Sequence, residues 1–140
     1  MRQYILLDTN VVLDYALKRS GFVENAEEIF KHIEAGTIVG CISSSAITDL
    51  YYLVESVTTR DRAWKMMEYL YRTLRILPVI RKTIRSALDS GMHDFEDAVQ
   101  AAAAKDFGID IVVTRDKTGF SNSGLHVCLP VEFLEICNTN

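Results

Sequence analysis

The chain has 140 residues, 49% hydrophobic and 24% charged, which suits one domain spanning 1–140 with its own core. Its net charge of −4 gives no general basic surface for nucleic acid. No apolar run approaches the ~18 residues of a membrane span, and Met1 leads straight into a strand pattern without a signal-peptide profile, so the expectation is a cytoplasmic protein with no membrane role.

Short apolar segments alternate with helical patterns, the rhythm of parallel βαβ units and hence of an α/β fold. A first strand over 3–7 delivers Asp8 at its end. A helix over 10–18 is broken by Ser20-Gly21, and a second helix over 23–35 turns Ile29, Phe30 and Ile33 inward, with Gly36 at its C-terminal cap. Strand two covers 37–42, and Ser43-Ser44-Ser45 supplies an N-cap for a helix over 46–55 that carries Asp49. The next helix, 61–73, has Ala63, Met66, Met67 and Leu70 as its apolar stripe, the methionines acting as core filler. Residues 75–78 form a short third strand, and 81–89 a helix closed by Gly91. Asp94 caps an alanine-rich helix that ends at Gly108, followed by a fourth strand over 109–114, apolar enough to be central. A loop over 116–124 leads to a last strand over 126–129, and Pro130 opens the final helix.

Cys41, Cys128 and Cys137 form no C-x-x-C pair, and the first two lie in strand patterns, as buried reduced thiols do. His32, His93 and His126 lack metal-ligand spacing, which argues against zinc. Charge is uneven. From Arg60 to Arg85 the chain carries eight bases against Asp61 and Glu68, a net +6 that leaves −10 elsewhere. That segment, including Arg81, Lys82 and Arg85, suits a phosphate backbone or an acidic partner; the structural alternative is a solvated helix face.

The carboxylates carry the chemistry. Open parallel sheets bind ligands beyond the carboxyl ends of their strands, and Asp8 and Asp116 fall just past two such ends. Asp49 and Asp97 can face the same crevice from flanking helices. Each acid has a structural alternative: a cap for Asp8 and Asp94, an exposed helix position for Asp49, a turn for Asp116. The small face Ala101-Ala102-Ala103-Ala104 lets its helix approach neighbours closely, which draws Asp97 toward the packed interior. A carboxylate there needs a partner, and a cation is one. Converging carboxylates raise each other's pKa unless a cation intervenes, and all-oxygen ligands suit magnesium or manganese. No G-x-S-x-G elbow or glycine-rich phosphate loop offers another chemistry.

These residues resemble the PIN-domain family of small nucleases, and its VapC-like toxin branch in particular. Four blocks carry the likeness in order: Leu7-Asp8-Thr9-Asn10-Val11-Val12-Leu13-Asp14, then Ser44-Ser45-Ala46-Ile47-Thr48-Asp49-Leu50-Tyr51-Tyr52-Leu53, then Asp94-Phe95-Glu96-Asp97-Ala98-Val99-Gln100-Ala101-Ala102-Ala103, then Val113-Thr114-Arg115-Asp116-Lys117-Thr118-Gly119-Phe120. The resemblance implies a three-layer α/β/α sandwich around a mostly parallel sheet of four to five strands, and a Mg²⁺- or Mn²⁺-dependent ribonuclease. Asp8, Asp97 and Asp116 match the metal-site acids. Asp49 stands where glutamate is usual, its carboxylate one methylene shorter. Asp94 matches an accompanying acid, and Thr9, Asn10 and Thr114 match polar positions that steady the site. Gly119 occupies a place often held by an acid. The resemblance further implies RNA as substrate, a cognate antitoxin and a homodimer, for which Tyr51, Tyr52, Tyr69 and Tyr71 are aromatic anchors unless they pack within the domain.

Two rivals remain in view. A HAD phosphatase needs a second acid two residues after the first, where this chain has Asn10. A non-catalytic RNA-binding or assembly module of the same fold fits the departures at Asp49 and Gly119, and metal binding separates it from the nuclease.

Overall fold

The computed structural model describes residues 2–139. The elements follow in the order β1 (Gln3–Leu7), α1 (Thr9–Ala16), α2 (Val23–Glu34), β2 (Ile38–Ser43), α3 (Ile47–Val57), α4 (Arg60–Thr73), β3 (Arg75–Leu77), α5 (Arg81–Asp89), α6 (Phe95–Asp106), β4 (Ile111–Val113), β5 (His126–Cys128) and α7 (Pro130–Thr139). Single 3-10 turns lie at Ser44–Ala46 and Thr118–Phe120.

The five strands form one sheet in the order β3-β2-β1-β4-β5. Every neighbouring pair is parallel, with Leu6 opposite both Cys41 and Val112. Strand side chains alternate between faces. Ile5, Leu7, Ile42 and Val113 enter one core with residues of α1, α2, α3, α4 and α7. Leu6, Cys41 and Val112 enter the other with Ala101, Ala103 and Ala104 of α6. Helix α5 packs on α6 through a smaller cluster of Ala87, Ala98, Val99 and Ala102. The result is the expected three-layer α/β/α sandwich. At Gly40 of β2, a Cβ would fall 2.5 Å from the Ile33 side chain and 2.9 Å from Leu74. A larger residue there would force the Ile33 and Leu74 side chains to shift within the packed core, and overpacking of this kind costs about 1–3 kcal/mol.

The order in which strands are added changes sense at β1, which has β2 on one side and β4 on the other. The crevice beyond β1 and β4 is therefore the switch point at which such sheets bind ligands.

Most boundaries shift by one or two residues, and three differences have a visible cause. Helix α1 stops at Ala16 rather than 18, and Lys18 takes a left-handed φ of 49° that ends it. The serine run caps the 3-10 turn, with Ser43 accepting from the Ser45 N–H, while α3 itself has no side-chain cap. Strand β4 starts at Ile111 rather than 109, because the Ile109 N–H still closes α6 by donating to the Ala104 carbonyl at 3.0 Å. Within the predicted loop 116–124, residues Thr118–Phe120 wind into a 3-10 turn. All three cysteines are free thiols, with Cys41 and Cys128 buried as expected. Among the described residues, no helix is long and apolar enough to cross a membrane.

Candidate active site

Asp8 is the first residue past β1 and is 6% exposed. Its N–H donates to the Val113 carbonyl at 3.0 Å, which fixes the backbone between β1 and β4. Its Oδ1 accepts from the Thr9 N–H at 2.8 Å, so the cap role holds. Its Oδ2 accepts from the Thr114 hydroxyl at 2.8 Å. Burial pushes the Asp8 pKa up; the Thr114 and Thr9 hydrogen bonds oppose this, and the Asp116 charge adds to it.

Asp94 caps α6, accepting from the Asp97 N–H at 2.9 Å. The first turn of that helix presents Glu96 and Asp97 to the same concavity as Asp8. The alanine face keeps α6 close to the sheet, so Asp97 is half-buried, as its neighbours predict. Its pKa rises to about 7, first through burial, then through the charges of Asp8, Asp94, Glu96 and Asp116. The Glu96 pKa also rises, from burial and then from Asp49, Asp94 and Asp8.

Asp116 follows β4, held by Thr114, whose Oγ1 accepts from the Asp116 N–H at 3.0 Å. Its Oδ1 accepts from the Gly119 N–H at 3.2 Å. A Cβ at Gly119 would lie 2.7 Å from Asp97 Oδ2 and 3.0 Å from Asp116 Oδ2. A single point beside the glycine thus touches both carboxylates. Asp49 is exposed on α3, which aims Asp49, Tyr52, Leu53 and Ser56 at the cleft with helical spacing.

The cleft measures about 690 Å³ and is lined by Asp8, Asp49, Asp94, Glu96, Asp97 and Asp116 with Thr9 and Asn10, and by no Lys, Arg or His among the described residues. Asp97 and Asp116 also border a second hollow of about 430 Å³ that contains Gly119. Among the described residues, no three His, Cys, Asp or Glu side chains yet stand in position to hold an ion. The donor chemistry nevertheless fits a hard divalent cation: the groups are all oxygen, they repel one another, and the Gly119 gap gives Asp97 and Asp116 a shared point of approach.

The polar supports are placed around these acids. Thr9 Oγ1 accepts from Gln100 Nε2 at 3.5 Å, and Asn10 Oδ1 accepts from Arg19 at 3.2 Å. Arg81, Lys82 and Arg85 are exposed on α5 and line neither hollow; Arg85 pairs with Asp89 at 2.7 Å. Tyr69 packs within the domain, stacked on Tyr15 and donating to Glu34 at 2.8 Å.

Sequence reasoning passed over two features. Glu96 reads as an ordinary acid of a helix first turn, yet it lines the cleft; its adjacency to Asp97 was the available signal. Asp14, 1% exposed, accepts from Arg115 Nε at 2.7 Å and from Arg115 Nη2 at 3.1 Å, while the guanidinium lies 3.9 Å from the Phe22 ring centroid. This clamp fixes the backbone one residue before Asp116. Both residues fall inside quoted blocks, but nothing in sequence pairs them.

Comparisons agree with this architecture. Over 140 residues the chain is 24% identical to Ribonuclease VapC1 of Aquifex aeolicus (strain VF5), covering 96% of each. Its fold is similar to that of Mycobacterium tuberculosis VapC20, a sarcin-ricin loop cleaving toxin, with a TM-score of 0.67 at 19% identity, over 86% of this chain and 95% of that one. It is also similar to a chain of a toxin-antitoxin complex from Klebsiella pneumoniae, with a TM-score of 0.67 at 17% identity, over 90% and 97% of the two chains. The model of the PIN domain matches residues 4–118, and the chain belongs to the PIN domain family.

Proposed function

We propose that this protein is a Mg²⁺- or Mn²⁺-dependent endoribonuclease, the toxin of a toxin–antitoxin pair, acting in the cytoplasm as a single domain. The observation that carries this reading is one open cleft lined by Asp8, Asp49, Asp97 and Asp116 without a neutralising base. The likeness to Ribonuclease VapC1 supports RNA as substrate. The likeness to a toxin-antitoxin complex supports a cognate antitoxin.

In this reading Asp8, Asp97 and Asp116 hold the ion, and Asp49 faces it across the cleft. The bound cation supplies Lewis acidity, activating water and neutralising charge on the phosphate. Thr114 keeps Asp8 and Asp116 in register through its two hydrogen bonds. Thr9 and Asn10 steady the entrance of α1, and Asp94 holds the first turn of α6 so that Asp97 points inward. Arg81, Lys82 and Arg85 supply attraction for RNA or an acidic antitoxin tail away from the cleft. A homodimer belongs to the same reading, and sedimentation velocity reads it.

The test is incubation of a mixed RNA pool with the antitoxin-free protein in Mn²⁺, in Mg²⁺ and in EDTA. Discrete cuts that disappear in EDTA and in Asp97→Asn support the assignment. A folded, Mn²⁺-binding protein that leaves every RNA intact removes it.

A further inference from the structure

We propose that the exposed aromatic face of α3 and α4, built on Tyr52 and Trp64, is a stacking platform for unpaired bases of the RNA that enters the acidic cleft. The proposal rests on the ribonuclease reading and adds the residues that seat the strand.

Tyr52 is 64% exposed and lines the cleft beside Asp49. Tyr51 stands behind it, ring to ring at 5.2 Å and 81°. Tyr51 also meets Trp64 at 6.4 Å and 82°, and Trp64 is 58% exposed. The Tyr51 hydroxyl donates to Glu55 at 2.6 Å, which fixes the ring on which both outer rings lean. Two large aromatic faces are thus held open to solvent by a third, and one of them, Tyr52, borders the acids. Isolated surface aromatics need no explanation, but a contiguous set bordering a cleft marks a contact site.

The surrounding charge selects the occupant. The Arg60 guanidinium lies 5.2 Å from the Trp64 ring centroid. Arg62 and Lys65 line the adjoining groove with Val57 and Thr58, and among the described residues neither makes an ion pair. Tyr52 thus borders the acids, Trp64 joins it through Tyr51, and Arg60 stands over the Trp64 ring. An acidic cleft repels a phosphate backbone, so the attraction must come from outside it. Aromatic faces flanked by arginine are how proteins seat single strands, whose bases are free to stack. A second copy of this chain fits less well, because a two-fold contact places the same patch opposite itself, with Arg60, Arg62 and Lys65 on both sides.

Trp64 is the one tryptophan of the sequence, so its emission reports this face alone. The experiment titrates the full chain, in EDTA to prevent cleavage, with a short mixed-sequence single-stranded RNA and with an abasic strand of equal length. Stacking predicts quenching of Trp64 by the RNA and none by the abasic strand. Read by anisotropy of labelled RNA, Tyr52→Ala and Trp64→Ala each weaken binding about tenfold, while Trp64→Phe stays near wild type. Circular dichroism confirms that each variant is folded. Equal affinity for RNA and abasic strand overturns the platform, as does wild-type affinity in both alanine variants. Emission that follows protein concentration and ignores RNA also overturns it, in favour of a contact between copies. The two readings fail separately. Asp97-dependent cleavage without stacking removes only the platform, and stacking on a protein that never cuts RNA removes only the nuclease.

Discussion

The Thr114 hydroxyl donates to Asp8 Oδ2 at 2.8 Å across 106 positions of sequence and accepts from the Asp116 N–H at 3.0 Å. One fully buried side chain therefore sets the spacing of the acids that follow β1 and β4. Thr114→Val keeps the shape and removes both bonds. The expected cost is about 1–3 kcal/mol, from a buried carboxylate left short of a donor. Cleavage should fall roughly 10- to 100-fold, as when a group that orients a metal ligand is lost. Chemical denaturation and RNA cleavage rates check the two effects; unchanged cleavage would show that Thr114 does not orient the acids.

Gly119 separates stability from function. An alanine Cβ there meets the Asp97 and Asp116 carboxylates at 2.7 and 3.0 Å, and both are side-chain ends that can swing aside. Gly119→Ala should leave the melting temperature near wild type while weakening Mn²⁺ binding about tenfold. Wild-type Mn²⁺ affinity in this variant counts against an ion shared by Asp97 and Asp116.

Asp97→Asn should abolish cleavage and, in EDTA, stabilise the fold. The carboxylate is half-buried among like charges and has no hydrogen-bond partner of its own among the described contacts, so its charge opposes folding. Screened by solvent, relief of about 1 kcal/mol corresponds to a rise of roughly 3–5 °C in melting temperature. A drop instead would mean that the Asp97 charge is compensated within the protein.

The same repulsion fixes a pH dependence. The folded pKa of Asp97 lies at about 7, above the 3.8 of an ordinary aspartate, so between these values the folded chain binds more protons than the unfolded one. Stability of the metal-free protein must then fall as pH rises from about 4 to 7. Asp8 and Glu96, also raised, act in the same direction. In EDTA the melting temperature should rise from pH 7.5 to 5.5, more steeply than in Asp97→Asn. Equal slopes in the two proteins would contradict the cluster's electrostatics.

Asp14→Ala should be destabilising. It removes both Arg115 hydrogen bonds but leaves a guanidinium that is partly open to solvent, so the loss is about 2–3 kcal/mol. Guanidinium melts give the value directly, and a cost under about 1 kcal/mol would show that the clamp does not hold the β4 turn.

Much of this was legible in the sequence, for identifiable reasons. Strands such as Tyr4-Ile5-Leu6-Leu7 announce themselves by apolar runs, Gly36 and Gly108 end helices with positive φ, and Asp94 caps where its spacing from Asp97 says it should. The convergence of Asp8, Asp49 and Asp97 on one cleft followed from element order, because parallel sheets expose their strand ends together. Pairings across the fold were not legible. Arg115 with Asp14 and Tyr51 with Trp64 depend on helix orientation, which local periodicity does not encode. The basic residues of α5 illustrate the converse: their charge is plain in sequence, yet α5 packs behind α6 and they line neither hollow.

The most direct test of the account is calorimetric titration of Mn²⁺ into wild type and Asp97→Asn at pH 6.5, each in two buffers of different ionisation heat. Wild type should bind with proton release, since Asp97 with a pKa of about 7 must deprotonate to take the ion, and Asp97→Asn should bind little or none. No Mn²⁺ binding by the folded wild type, or equal binding by both, would contradict it.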